Sequence, residues 1–142
     1  MGCAMRIRQE MFAALAASAL ALGGPGCGLF SDSTSPTTTN TETFSGVLEK
    51  QGVNVFTFTV AQTGTVSITL SSVTPTATTV VGLGIGTPSG AACTVSSSNP
   101  TATAGSTAQI VVTENPGSYC VKVYDNGTLP ASVNFTVKIA HT

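Results

Sequence analysis

Apolar and polar residues alternate with a period of two along most of the chain beyond residue 42. Residues 66–70 alternate aliphatic side chains with Ser and Thr, and residues 117–125 carry Tyr119, Val121 and Val123 at alternate positions. This period sends successive side chains to opposite faces of a β-strand. The pattern therefore predicts strands, with residues 117–125 as a central strand, and no helix in this part of the chain.

Turns rich in Gly, Pro and Asn separate these segments, as is typical of two-layered all-β domains. The sequence predicts an all-β domain over residues 42–142: a jelly-roll-like antiparallel β-sandwich of about eight strands. It also predicts a hairpin from residues 53–60 and 66–70, a turn at 87–90 and a loop at 99–106. The predicted strands are 42–49, 53–60, 66–71, 79–87, 91–96, 108–114, 117–125 and 133–139.

Charged residues make up 8% of the chain. Beyond Cys27, three lysines stand against five acidic residues, which leaves a net charge of −2 when histidine is neutral. Proteins that bind nucleic acid neutralise its phosphates with clustered Lys and Arg, and this chain has no such cluster. The composition therefore predicts no nucleic-acid partner, and the many Ser and Thr residues indicate a surface solvated mainly by hydroxyl groups.

The first 27 residues have the layout of an export signal. Arg6 and Arg8 precede an apolar run over residues 11–22, and small residues follow it. The run is shorter than the ~20 apolar residues that a membrane-spanning helix needs. We therefore predict a signal peptide over residues 1–27 and an exported protein.

Residues 23–28 read Gly-Gly-Pro-Gly-Cys-Gly. They resemble the lipobox of bacterial lipoproteins, which implies lipidation at Cys27, although Gly24 stands where that pattern usually has Leu. The alternative is cleavage after Ala21, which would leave Cys27 as an odd thiol. The Ser- and Thr-rich residues 28–41 are predicted to be a flexible linker between the anchor and the domain.

The predicted domain contains two cysteines, Cys93 and Cys120. Because exported proteins fold in an oxidising compartment, we predict a disulfide between them. Closing a loop of about 27 residues stabilises the folded state by roughly 3–4 kcal/mol in the chain-entropy model. The alternative is a redox-active pair, for which Lys122 is the one basic neighbour in sequence.

Gly82, Gly84 and Gly86 share one face of the predicted strand 79–87. A dinucleotide-binding loop requires a turn into a helix and a third glycine three residues after the second, and neither is present. Alternate glycines in a strand allow another backbone or an aromatic ring to approach closely. Tyr124 or Tyr119 could supply that ring.

The chain offers few groups for catalysis. His141 is the only histidine and the penultimate residue, so we expect it at a frayed C-terminus without a nucleophile to activate. His141 and two cysteines also make no convincing set of metal ligands. The acidic residues of the domain fall near predicted turns or strand ends, where solvated charge is the expected role: Glu42, Glu49, Glu114 and Asp125. We predict no enzyme activity, no cofactor and no metal.

Several segments have a recurrent turn-and-strand pattern: residues 46–48, 56–60, 64–70, 83–90, 116–124 and 135–137. Together they resemble the bacterial pre-peptidase C-terminal domain, a small β-sandwich that accompanies secreted proteases and other exported proteins. Some members bind calcium or extracellular polymers through acidic or aromatic clusters. Val53, Asn54 and Val55 stand where the family often has acidic residues, so no binding residue is carried over to this chain.

These inferences predict a non-catalytic β-sandwich module of the bacterial cell envelope, anchored in the membrane by lipid on Cys27 or, alternatively, secreted. The expected partners are the membrane, through that anchor, and a cell-surface protein or polysaccharide. Tyr124 is the one tyrosine predicted to point outward, so it is the candidate surface contact. The alternative function is an accessory or chaperone-like domain that works with a separate secreted hydrolase.

Overall fold

The computed structural model describes residues 37–142. The predicted signal peptide, Cys27 and most of the predicted linker lie outside these residues. Within residues 37–142 no helix is long and apolar enough to cross a membrane. The strands are β1 (Asn40–Leu48), β2 (Val53–Val60), β3 (Gly64–Thr74), β4 (Val81–Ser89), β5 (Ala92–Ala102), β6 (Ile110–Glu114), β7 (Gly117–Tyr124) and β8 (Val133–His141).

The strands form two four-stranded sheets. The first sheet has the order β1-β8-β3-β6, the second has the order β2-β7-β4-β5, and every neighbouring pair is antiparallel. This order is the connectivity of a jelly roll. The predicted fold class is therefore confirmed, and β7 is an interior strand of its sheet, as the sequence predicts.

The core lies between the two sheets and follows the period-two pattern. In β8 every second residue is buried, from Val133 to Ile139, and Lys138 points outward. The inward positions of β4 are also fully buried, namely Val81, Leu83 and Ile85. Burying aliphatic and aromatic side chains from both sheets supplies most of the stabilisation of such a domain.

The predicted hairpin of residues 53–70 is wrong. β2 pairs with β7 in the second sheet, whereas β3 pairs with β6 and β8 in the first. The link at residues 61–63 therefore crosses from one sheet to the other. Both strands bury alternate side chains in the same core, β2 from the second sheet and β3 from the first. The period-two pattern of each strand therefore agrees with the observed fold.

Some predicted boundaries also differ. β5 extends to Ala102, so the predicted loop at residues 99–106 begins as strand, and β4 continues through the predicted turn at residues 87–90 as far as Ser89. The β4–β5 pairing contains two register shifts, which allow β5 to continue past Pro100 at the sheet edge. β1 begins at Asn40, so the sandwich includes the last two residues of the predicted linker.

Candidate binding surfaces

Tyr124 lies at the end of β7 on the outer face of the second sheet. Its ring lies directly over Gly82 of β4, where an added Cβ would overlap the ring. The Nζ atom of Lys122 is 5.1 Å from the ring centre, which is a cation–π contact. The ring is half-buried and already engaged within the protein, and its role as a ligand contact stays a prediction.

Strand β5 covers the other two glycines of β4. A Cβ at Gly84 would lie 2.9 Å from a methyl carbon of Val95, and one at Gly86 would overlap the backbone carbonyl of Thr94. The prediction that a ring or another backbone packs over these glycines is confirmed at Gly82 and Gly86, whereas the close neighbour of Gly84 is the side chain of Val95. The close approach at Gly86 occurs where the β4–β5 register shifts.

The predicted disulfide is present. Cys93, near the start of β5, is bonded to Cys120 of β7, with their Cα atoms 5.8 Å apart. Cys120 is fully buried, and Cys93 is half-buried. Because Cys120 is opposite Gly86 in the β4–β7 ladder, the close approach of β5 over Gly86 brings the two cysteines together.

A groove of about 390 Å³ opens beside the disulfide on the outer face of the second sheet. It lies between β2 and the tip of the β4–β5 hairpin, and Lys122 is its one charged residue. Val53 in its wall is 53% exposed. The lining residues are Val53, Asn54, Val55, Ala91, Ala92, Cys93 and Lys122.

The outer face of the first sheet carries mainly hydroxyl and amide groups. Along β1, β8 and β3 the alternate residues that do not enter the core point outward, and the strand register aligns them in rows across the sheet. We call this surface the hydroxyl face. Its polar members are Thr43, Ser45, Thr69, Ser72, Thr74, Asn134 and Thr136, together with the charged Lys138, and the exposed apolar Val47 lies opposite Asn134 on the same face.

Most side chains of the hydroxyl face are free to bind a ligand. The one pair that bonds internally is Ser45 Oγ and Thr136 Oγ1, at 3.0 Å. Within residues 37–142 the hydroxyls of Thr43, Thr69 and Thr74 make no hydrogen bond. A groove of about 380 Å³ crosses this face, and its lining residues are Ser45, Gly46, Val47, Ser72, Thr74, Asn134, Phe135 and Thr136.

His141 is buried, so the expectation that it lies at a frayed C-terminus is wrong. It is the last residue of β8, is 3% exposed, and its Nε2 atom is 2.9 Å from Glu42 Oε1. Its ring centre lies 5.3 Å from that of Phe58. The C-terminus is held because β8 is an interior strand of the first sheet and the carbonyl of Thr142 accepts the N–H of Ala61 at 2.9 Å.

Within residues 37–142, the hydrogen bonding of the His141 ring involves a single side chain, that of Glu42. Among the described residues its Nδ1 atom has no hydrogen-bond partner, and its Nε2 atom contacts the carboxylate of Glu42. A nucleophile–base pair would require a hydroxyl or thiol within hydrogen-bond reach of the ring. Residues 37–142 also contain no group of three or more His, Cys, Asp or Glu side chains that could hold a metal ion.

Two ionisable side chains organise turns. Burial raises the pKa of Tyr119, the neighbouring Glu114 raises this pKa further, and the phenol donates to the carbonyl of Asn115 at 2.9 Å. The backbone N–H of Gln51 is the main cause that lowers the pKa of Asp125, because the carboxylate accepts it at 2.8 Å. The phenol of Tyr119 and the carboxylate of Asp125 are therefore both hydrogen-bonded to backbone groups of the protein.

No protein-family model matches the chain, and the search of curated proteins finds no significant match. The resemblance to the pre-peptidase C-terminal domain and the lipobox therefore stay predictions.

Sequence reasoning found Tyr124, the glycine series and both cysteines, but it missed the hydroxyl face. Its members come from three strands, β1, β8 and β3, which are distant in sequence. The available signal was the repeated Ser or Thr at outward positions of each strand. Only the pairing of β8 with both β1 and β3 joins those positions into one surface.

Proposed function

We propose that this chain is an exported, tethered, non-catalytic binding module of the bacterial cell envelope, and that its hydroxyl face binds a neutral polysaccharide. The observation that carries this proposal is the composition of that face. Seven of its side chains are uncharged hydrogen-bonding groups, and Lys138 is its one charge. A hydroxyl group both donates and accepts, which matches the hydroxyls of a neutral sugar.

The spacing of these groups favours a polymer over a small sugar. Neighbouring strands lie about 4.8 Å apart, and alternate residues of one strand are about 6.7 Å apart, so the side chains form a two-dimensional array. A single exposed hydrogen bond contributes only about 1 kcal/mol. Useful affinity therefore requires many such bonds at once, which an extended chain of sugars can make across three strands.

A second candidate function is protein binding at the groove beside the disulfide. The groove is lined mainly by apolar side chains, including the exposed Val53, and its one charge is Lys122. Apolar walls with one oriented charge favour a peptide over a neutral sugar. Loss of binding to envelope protein in a Val53→Ser variant, which changes the exposed wall of the groove, would support this second function.

The test of the polysaccharide proposal is co-sedimentation of the full chain with insoluble neutral and acidic polysaccharides. The double variant Thr43→Val, Thr69→Val removes two hydroxyls while retaining the side-chain shape. We expect it to weaken binding to the neutral polymer at least about tenfold. The matched control, Thr59→Val with Thr94→Val, removes two exposed hydroxyls from the other sheet and should leave binding unchanged.

Equal binding by both double variants, or stronger binding to the acidic polymer, would contradict the proposal. Export and anchoring have a separate test, which is mass spectrometry of the mature protein from its native membrane. We expect an acylated Cys27 at the new N-terminus and the loss of two hydrogens at Cys93 and Cys120. A free Cys27 in a soluble secreted product would overturn the anchor and leave the binding proposal standing.

A further inference from the structure

One side of the sandwich has an outer strand, β2, without the features that usually block pairing, whereas the neighbouring β1 contains the charged Glu42. β1 and β2 are the outer strands on this side, and they are joined by the turn at residues 49–52. β2 pairs with β7 over all eight residues without a register shift. It contains no charged residue and no proline, which are the residues that natural proteins place on edges to prevent pairing.

The outer strands on the opposite side of the sandwich, by contrast, have features that disfavour pairing with a further strand. β5 there has two register shifts and contains Pro100. β6, the other outer strand on that side, has only five residues. Short strands, bulges and proline all disfavour addition of another strand. The difference between the two sides singles out β2 as the edge that can accept a partner.

The hydrogen-bonding groups on the open edge of β2 follow from its ladder with β7. The N–H of Asp125 donates to the carbonyl of Gly52 at 3.1 Å, which continues the β2–β7 register by one residue. Hydrogen-bonded and non-hydrogen-bonded residue pairs alternate along an antiparallel ladder. Because Gly52 and Asp125 form a hydrogen-bonded pair, the even-numbered residues of β2 also bond to β7. The N–H and C=O groups of Val53, Val55, Thr57 and Thr59 therefore point away from the sheet.

An aromatic pair lies just inside this edge. Phe44 of β1 and Phe56 of β2 stack with ring centres 4.9 Å apart, and Phe56 also contacts the ring of Phe135 at 6.0 Å. Both Phe44 and Phe56 are only partly buried, unlike Phe135. The core is thus incompletely closed where β1 and β2 meet, and a further strand beside β2 would cover these rings.

We propose that β2 pairs antiparallel with β2 of a second copy, joining two sandwiches through one continuous eight-stranded sheet. Among the registers that pair these open backbone groups with one another, the one in which Val55 faces Thr57 of the other copy uses all four residues, and it places Phe56 on the two-fold axis. That register forms about eight backbone hydrogen bonds. Because β2 carries no charge, two identical edges meet without repulsion, and the rings of Phe44 and Phe56 from both copies become buried together.

The test is sedimentation of the full chain in density-matched detergent over a wide range of concentration. The wild-type chain should form dimers. Thr57→Lys places two like charges across the interface, and Thr57→Pro removes an outward N–H that β7 does not use. Each should raise the dimer dissociation constant at least about tenfold. Thr113→Lys, on the blocked edge β6, is the matched control and should dimerise like wild type.

A wild-type chain that stays monomeric, or dimers that persist in both Thr57 variants, would overturn the proposal. Near-ultraviolet circular dichroism of each variant reports whether the fold is retained. If Thr57→Pro does not fold, Thr57→Lys decides the question. If the full chain is monomeric and deletion of residues 28–36 makes it dimeric, the chain's own linker occupies the edge and the second-copy proposal is wrong.

Discussion

The carboxylate of Asp125 accepts the backbone N–H of Gln51, 74 residues earlier in the chain, at 2.8 Å. Its other oxygen accepts the N–H groups of Gly127, Thr128 and Leu129 at distances from 2.9 to 3.1 Å. Gln51 needs this support because it has a positive φ of 55°, a conformation that is unfavourable for a residue with a side chain. One side chain therefore joins the β1–β2 turn to the loop that follows β7.

We predict that acid weakens the protein partly through Asp125. The Gln51 N–H holds the pKa of Asp125 below its ordinary value in the folded state. A depressed pKa contributes stability above the unfolded-state pKa of about 3.9, and this contribution is lost as pH falls through the folded-state pKa. The midpoint of thermal unfolding should fall over that acidic range, and Asp125→Asn should lower the midpoint at neutral pH and flatten its acid dependence.

The matched control for Asp125 is Glu49→Gln, which changes an exposed carboxylate on the same turn. Its acid dependence should follow that of the wild type. If Asp125→Asn retains the full acid dependence of the wild type, the assignment to Asp125 is wrong.

The side chain of Gln109 completes the pairing of β3. Its Oε1 atom accepts the N–H of Leu70 at 2.7 Å, and its Nε2 atom donates to the carbonyl of Thr103 at 2.9 Å. Gln109→Leu leaves the Leu70 N–H without a partner beside the register shift of β3. We expect this to lower the free energy of unfolding by about 1–3 kcal/mol in urea titrations. Gln62→Leu, at an exposed position, should change it by less than about 0.5 kcal/mol.

Gly86 lies beneath the backbone of Thr94, and any side chain there would overlap the Thr94 carbonyl. Gly86→Ala must displace β5 from β4, and we expect a loss of about 3 kcal/mol or more, the upper end for overpacking. The control is Gly105→Ala, because the nearest atom to an added Cβ there is 4.0 Å away. Equal unfolding free energies for the two variants would show that β5 does not approach Gly86 as described.

The disulfide closes a loop with a sequence separation of 27 residues. Replacing both Cys93 and Cys120 with Ala should lower the free energy of unfolding by about 3–4 kcal/mol. Reductant should destabilise the wild-type protein and leave the double variant unaffected, as followed by thermal melting. A double variant as stable as the wild type would mean that β5 is held over β7 by packing alone.

The alternation in the sequence was enough to predict where the strands lie and, in several of them, which face is buried. In β4, for example, alternation of glycine with Val81, Leu83 and Ile85 was enough to assign both faces. The reason is local: side chains alternate across a strand whatever strand lies beside it. The disulfide was predicted on other grounds, namely two cysteines in the domain of a chain whose first 27 residues predict export.

Which strands are neighbours became known only from the folded structure. β2 and β3 each bury one face in the same core, so the sequence could not distinguish a hairpin from two strands in facing sheets. β8 lies between β1 and β3 in the first sheet. This position buries His141 against Glu42, and it joins the Ser and Thr residues of three strands into the hydroxyl face. Contacts between residues far apart in sequence depend on sheet order, and no local pattern encodes that order.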